Sequence, residues 1–146
     1  MKIAIGSDHA GYLLKEAIKR HLAKGDIPFS DIGTFKMDSV NYPEFSYKVS
    51  VSVANGDYDF GILICGTGIG MCITANKIKG IRAAQAYTTE QAKLSRLHND
   101  ANILCLGGRM VNEEEAIVIV DTWLNTSFEG GRHVTRLKLI SQLTGL

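Results

Sequence analysis

Short apolar, β-branched runs alternate with helix-period segments along almost the whole chain, and that alternation narrows the possible folds more than any other feature. Lys2–Ser7 reads as a first strand, after which Leu13, Leu14, Ala17, Ile18 and Leu22 fall on one helical face. Ile27–Ile32 reads as a second strand. Pro43 suits the first turn of a helix in which Phe45, Val49 and Val53 recur every four residues. Asp59–Cys65 reads as a third strand, Ile69–Lys77 as a short helix and Ile81–Tyr87 as a fourth strand. Thr88–His98 is helical, capped by Thr88 or Thr89, with Glu90 and Gln91 in the first turn. Asn102–Leu106 reads as a fifth strand. Glu113–Leu124 is a helix whose first turn carries three glutamates, suited to the positive end of its dipole. The pattern predicts a parallel sheet covered on both faces and joined by right-handed crossovers.

The tail differs. Asn125–Gly131 is a turn-rich break, and His133–Leu143 then makes one more amphipathic helix, with Val134, Leu137, Ile140 and Leu143 on its apolar side. That stripe suits packing on a partner subunit or back on its own domain equally well. The chain of 146 residues is expected to form one domain, residues 1–146, with no linker or repeat.

Charge and composition exclude several classes of function. A net charge of +1 argues against nucleic acid or an anionic membrane as partner. No apolar run approaches the roughly 20 residues that span a bilayer. The opening Met1–Asp8 turns polar too quickly for a signal peptide, so a cytoplasmic location is expected. Cys65, Cys72 and Cys105 are an odd set without C-x-x-C spacing, neither a disulfide framework nor a zinc site. Cys72 and Cys105 read as small buried apolar residues.

In such sheets ligands collect beyond the carboxyl ends of the strands. Ser7-Asp8-His9, Cys65-Gly66-Thr67 and Gly107-Gly108-Arg109 all fall at those ends and are expected to share one rim. The middle group is the richest. An apolar strand ends on Cys65, and Gly66, Gly68 and Gly70 follow at alternate positions, where backbone amides can turn toward an anion. A dinucleotide fingerprint would need its third glycine at position 71, which is Met, and the next strand ends without the acidic residue that holds a ribose. A Walker A ending is absent. The loop therefore reads as an anion or oxyanion cradle of another type, or as a tight structural turn. Cys65 is a buried core thiol or, beside the positive end of the next helix, a thiolate able to act as a base.

The other polar candidates each have a plainer alternative. Asp8 either caps the first helix or meets a substrate, and His9 is either an exposed loop residue or a ligand group. His98, with Asn99 beside it, is either a histidine suited to a helix C-terminus or an acid–base. Arg132 and Arg136 lie four apart on one helical face, either a solvated basic face or a phosphate clamp. Arg109 follows Gly107-Gly108 on the strand rim and is the better single candidate for an anion contact.

Together these pieces resemble the ribose-5-phosphate isomerase B family, which is grouped with the galactose-6-phosphate isomerase subunits. The residues that carry the resemblance are Gly6-Ser7-Asp8-His9-Ala10-Gly11, Ile64-Cys65-Gly66-Thr67-Gly68-Ile69-Gly70, Asn76-Lys77 with Gly80-Ile81-Arg82-Ala83-Ala84, His98-Asn99-Asp100, and Glu129-Gly130-Gly131-Arg132-His133 with Arg136. The resemblance implies a Rossmann-like three-layer αβα sandwich with a five-stranded parallel sheet and an extra C-terminal helix. It implies a homo-oligomer, dimer or tetramer, whose active sites lie between subunits, and an aldose–ketose isomerase of phosphosugars without metal or other cofactor. Ribose 5-phosphate and ribulose 5-phosphate are the expected pair, with a phosphohexose (allose or galactose 6-phosphate) as the alternative. In that reading Cys65 is the base of an enediolate mechanism, and the amides of Gly66 to Gly70 hold the oxyanion with help from Asn99. Thr67 and His98 assist ring opening. Asp8 binds sugar hydroxyls, Tyr42 lines the site, and His9, Arg109, Arg132 and Arg136 contact the phosphate. Some relatives carry a carboxylate base later in the loop; here that place falls to Met71, which makes this the cysteine type.

Overall fold

The computed structural model describes residues 1–146 and contains five strands and six helices. In chain order these are β1 (Ile3–Ser7), α1 (Tyr12–Lys24), β2 (Phe29–Gly33), α2 (Tyr42–Ala54), β3 (Phe60–Cys65) and α3 (Ile69–Ala75). There follow β4 (Ala83–Gln85), α4 (Thr89–Asn99), β5 (Ile103–Gly107), α5 (Glu113–Leu124) and α6 (Arg132–Thr144). Every strand pair is parallel, and the order across the sheet is β2-β1-β3-β5-β4.

Two apolar cores lie on opposite faces of that sheet, because successive strand side chains alternate sides. Ile3, Ile5, Ile62, Ile64, Leu104 and Leu106 point to one face, where α1, α4 and α5 supply Leu14, Ile18, Leu22, Ala92, Ile119 and Trp123. Ala4, Leu63, Cys65, Ile103 and Cys105 point to the other, against Val49 and Val53 of α2 and Met71 and Ala75 of α3. This is the three-layer sandwich that the alternation predicts. The helix starts follow the sequence signals. Thr88 accepts a hydrogen bond from the Gln91 amide, and Asn112 and Glu115 form a reciprocal capping box on α5.

Three expectations need correction. Leu13 is 64% exposed; the buried face of α1 instead takes in Lys15, whose ammonium is tied to Asp31 of β2 at 2.7 and 2.6 Å. The fourth strand shrinks to Ala83–Gln85, since it is the sheet edge and β5 alone pairs with it. Cys72 is only partly buried, in contrast to Cys105. The two options for the last helix resolve toward an open stripe: within α6 only His133 is buried, while Val134, Leu139, Ile140 and Leu143 are exposed. No helix is long and apolar enough to cross a membrane.

Candidate active site

The rim forms because β1, β3 and β5 are neighbours in the sheet, so the loops after them interlock. The Asp8 amide donates to the Ile64 carbonyl at 3.1 Å, the Gly108 amide to the Cys65 carbonyl at 2.8 Å, and the Arg109 amide to the Gly66 carbonyl at 3.0 Å. Gly11 is obligatory here, because a Cβ on it would sit 2.3 Å from the Ile64 carbonyl oxygen. Asp8, His9, Cys65, Gly66, Thr67, Gly68 and Arg109 are thereby held in one loop cluster, as the strand-end argument expects.

Cys65 is 5% exposed, and its sulfur accepts a hydrogen bond from the Gly68 amide at 3.1 Å. Gly68 makes that bond from a left-handed conformation, φ +78°, which glycine adopts without steric cost. The amides of Gly70 and Met71 lie in the first turn of α3, where no helical carbonyl can reach them. They are donors that the helix itself leaves unpaired. Met71 itself is fully buried in the core, so the later loop position holds no proton-transfer group.

Neighbouring elements hold this loop in shape. The Thr67 carbonyl accepts from Gln85 Nε2 and from the Tyr87 hydroxyl, each at 2.6 Å, and those two side chains also bond to each other. Neither residue stands out in the sequence; their place at the carboxyl end of the fourth strand is the signal that finds them. A Cβ on Gly66 would lie 3.3 Å from an Arg109 terminal nitrogen, so the guanidinium lies across that glycine. A Cβ on Gly70 would lie 2.6 Å from the Tyr42 ring, which brings Tyr42 from α2 to the loop. The Asp8 carboxylate accepts from the Gly11 amide at 3.0 Å through one oxygen. His9 Nδ1 accepts from the Val40 amide at 3.2 Å, so in the neutral ring the proton sits on Nε2.

His98, Asn99, Arg132 and Arg136 lie elsewhere. Helix α4 leaves the rim at Thr88 and runs back along the sheet to Asp100, whose carboxylate pairs with Arg82 at 2.8 Å just before β4 begins. His98 and Asn99 thus sit near the amino end of the sheet, opposite Cys65. There His98 stacks on His133, with ring centroids 4.4 Å apart and planes 14° apart, and Glu129 lies beside both rings. Arg132 and Arg136 project from the same end of α6 and are exposed. One chain therefore does not bring these two groups of residues together. A cavity of about 450 Å³ lies between α6 and the β4 edge; its walls include Ile81, Asn99, Leu137 and Ile140 but neither Cys65 nor His98.

A glycine-collared thiol and a distant histidine–arginine group are a distinctive pair, and known proteins share the whole chain around them. The family model for Ribose/Galactose Isomerase matches residues 3–140. The chain is 46% identical to ribose-5-phosphate isomerase B of Escherichia coli K12 over 142 residues, 97% of this chain and 95% of that protein. A solved ribose-5-phosphate isomerase B from Clostridium thermocellum superposes with a TM-score of 0.98 at 51% identity, covering 99% of this chain and 98% of that one. The Mycoplasma genitalium enzyme, solved with bound ribulose 5-phosphate, superposes with a TM-score of 0.94 at 44% identity, covering 99% and 96%. Matches of this extent leave no segment of the fold unaccounted for: the chain belongs to the Ribose/Galactose Isomerase family.

Proposed function

We propose that the chain interconverts ribose 5-phosphate and ribulose 5-phosphate through a cis-enediolate, with Cys65 as the base. The observation that carries this reading is the Cys65 sulfur seated under the Gly68 amide, with the first-turn amides of α3 beside it. The Mycoplasma genitalium relative, solved with ribulose 5-phosphate, supports the same substrate class for this chain.

Thr67 of one subunit and His98 of a second move protons that open the furanose ring to the free aldehyde. The Cys65 thiolate removes the proton from C2, and the electron pair shifts to place negative charge on the C1 oxygen. Amides of the Gly66–Gly70 loop stabilise that oxyanion where it develops, which is worth about 10²–10³ in rate per donor. The Cys65 thiol then returns the proton to C1, the O2 hydroxyl gives up its proton as the C2 carbonyl forms, and O1 takes up a proton to become the C1 hydroxyl of the ketose. Asp8 and Tyr42 orient the sugar. His9 and Arg109 hold the phosphate from one side, and Arg132, Arg136 and Asn99 complete the site from the partner copy. A fixed phosphate positions the reacting carbons and so lowers the entropic part of the barrier.

The test is Cys65→Ala in an isomerase assay, with wash-in of solvent deuterium at the transferred carbon as a second readout. A general base contributes about 10²–10⁴ to rate, so both readouts should fall by that range while circular dichroism stays unchanged. Wild-type exchange in a folded Cys65→Ala protein would refute Cys65 as the base. Comparing kcat/KM for ribose 5-phosphate with that for allose 6-phosphate and galactose 6-phosphate tests the substrate separately.

A further inference from the structure

The half-site at the amino end of the sheet contains a group that the isomerase chemistry above does not use. His133 is 7% exposed at its side chain, and its Nε2 has no hydrogen-bond partner. A buried donor or acceptor without a partner is costly, so its surroundings bear on what fills it. The Glu129 carboxylate lies 3.5 Å from that nitrogen and 3.9 Å from His98 Nε2. All three ligand-type atoms fall within 4.8 Å of one another. The cluster has a rigid base: the Glu129 amide donates to the Leu97 carbonyl at 3.1 Å, and Arg96 Nε to the Thr126 carbonyl at 3.2 Å, tying the loop before α6 to the end of α4.

The geometry points to a binding site for a divalent transition cation of the zinc class at His98, Glu129 and His133, occupied at the expense of catalysis. Two imidazoles and one carboxylate form a donor set that suits zinc, nickel or copper rather than magnesium or calcium. Ligands about 2.05 Å from a tetrahedral zinc stand about 3.3 Å apart. The His133–Glu129 spacing is already close to that, and the half-buried His98 and exposed Glu129 supply the remaining contraction. Arg132 and Arg136 oppose a cation here, and the Glu129 carboxylate offsets part of that field. The fourth position stays open to water. The inhibitory half of the inference rests on the ring-opening role proposed for His98; the binding half does not.

The experiment is a titration of the metal-free, full-length protein with Co²⁺, followed by displacement with Zn²⁺. One equivalent per chain is expected, with visible d–d bands and no sulfur-to-metal charge-transfer band, which separates this site from the three cysteines. Glu129→Gln, at an exposed position, and His133→Gln, checked for folding by thermal melt, should each weaken binding by at least about 100-fold, the upper limit for losing a mere outer-shell partner. No binding, a thiolate band, or an affinity unchanged in both variants would overturn the site. Saturating Zn²⁺ should lower kcat/KM on the order of 100-fold, reversibly with EDTA, because His98 is withdrawn from proton transfer. If one equivalent is bound and the rate is unchanged, the inhibitory half and the role given to His98 both fall while the binding half stands.

Discussion

On the proposed intersubunit site, mixing the Cys65→Ala and His98→Gln variants should restore activity, because each keeps the half that the other has lost. Helix α4 has 11 residues, and at about 1.5 Å rise per residue it spans about 16 Å. Its first turn is beside Tyr87, which bonds to the Thr67 carbonyl on the rim, and its last residues carry His98 and Asn99. Proton transfer needs heavy atoms about 3 Å apart. His98 therefore lies several times too far from Thr67 and Cys65 of its own chain to act on a substrate held there. Cys65→Ala and His98→Gln homo-oligomers should each lose about 10²–10⁴ in rate. A heterodimer joins the intact Cys65 of one chain to the intact His98 of the other, so one of its two sites is whole. Random pairing makes half the dimers mixed, and the mixture should recover about a quarter of the wild-type rate, or about half when mixed dimers are isolated with two affinity tags. Isolated heterodimers as inactive as their parents would show that each site is completed within one chain, and the intersubunit reading would be wrong.

Further outcomes follow from single contacts. Gly68→Ala places a Cβ at φ +78°, 3.0 Å from the Leu106 carbonyl carbon, so it should cost about 1–2 kcal/mol by chemical denaturation and lower kcat at least about tenfold as the amide on Cys65 shifts. Lys15→Ala should destabilise by about 3 kcal/mol and Lys15→Met by less, since both leave Asp31 with Lys19 alone as its ammonium partner but methionine also fills the void. Burial alone would raise the Asp31 pKa, but hydrogen bonds from Lys15, Lys19 and the Gly33 amide hold it below the usual carboxylate value. That stability is present above the unfolded pKa near about 4 and is lost as pH falls through the lower folded value, so urea midpoints should fall with acidification below about pH 4 and fall less in Asp31→Asn. A hydrogen bond with Cys105, opposed by burial and reinforced by the Gln85 backbone and Asn76, lowers the Cys72 thiol to about 7. Iodoacetamide should therefore label Cys72 with a midpoint near that pH and leave Cys105, fully buried and held protonated, unlabelled by mass spectrometry.

Most of the layer plan was legible before any coordinates, because a strand buried on both faces and an amphipathic helix leave different periodicities. Leu13 shows where that reading fails. Two leucines adjoin at the start of α1, and period alone cannot say that Leu14 faces the sheet while Leu13 faces solvent. Lys15 was missed for the opposite reason: a lysine reads as a surface residue unless its partner, here Asp31 sixteen residues away, is known to lie within 2.7 Å. Gln85 and Tyr87 carry no motif, and only their position against the Thr67 carbonyl gives them a role.

The chain's local chemistry settled which groups are present: a thiol at a strand end, glycines where amides must turn, capping residues at helix starts, and arginines spaced by one helical turn. These follow from neighbours in sequence, since backbone sterics and periodicity act over a few residues. Which groups meet depended on the tertiary structure. Parallel strands put Asp8, Cys65 and Arg109 on one rim although about fifty residues separate each from the next, whereas the antiparallel return of α4 carries His98 to the far end of the same sheet. That separation arises from the direction in which a helix must run to connect two parallel strands, and no local pattern encodes it. The stacking of His98 on His133 with Glu129 beside them arises in the same way, where the loop before α6 folds back onto the end of α4.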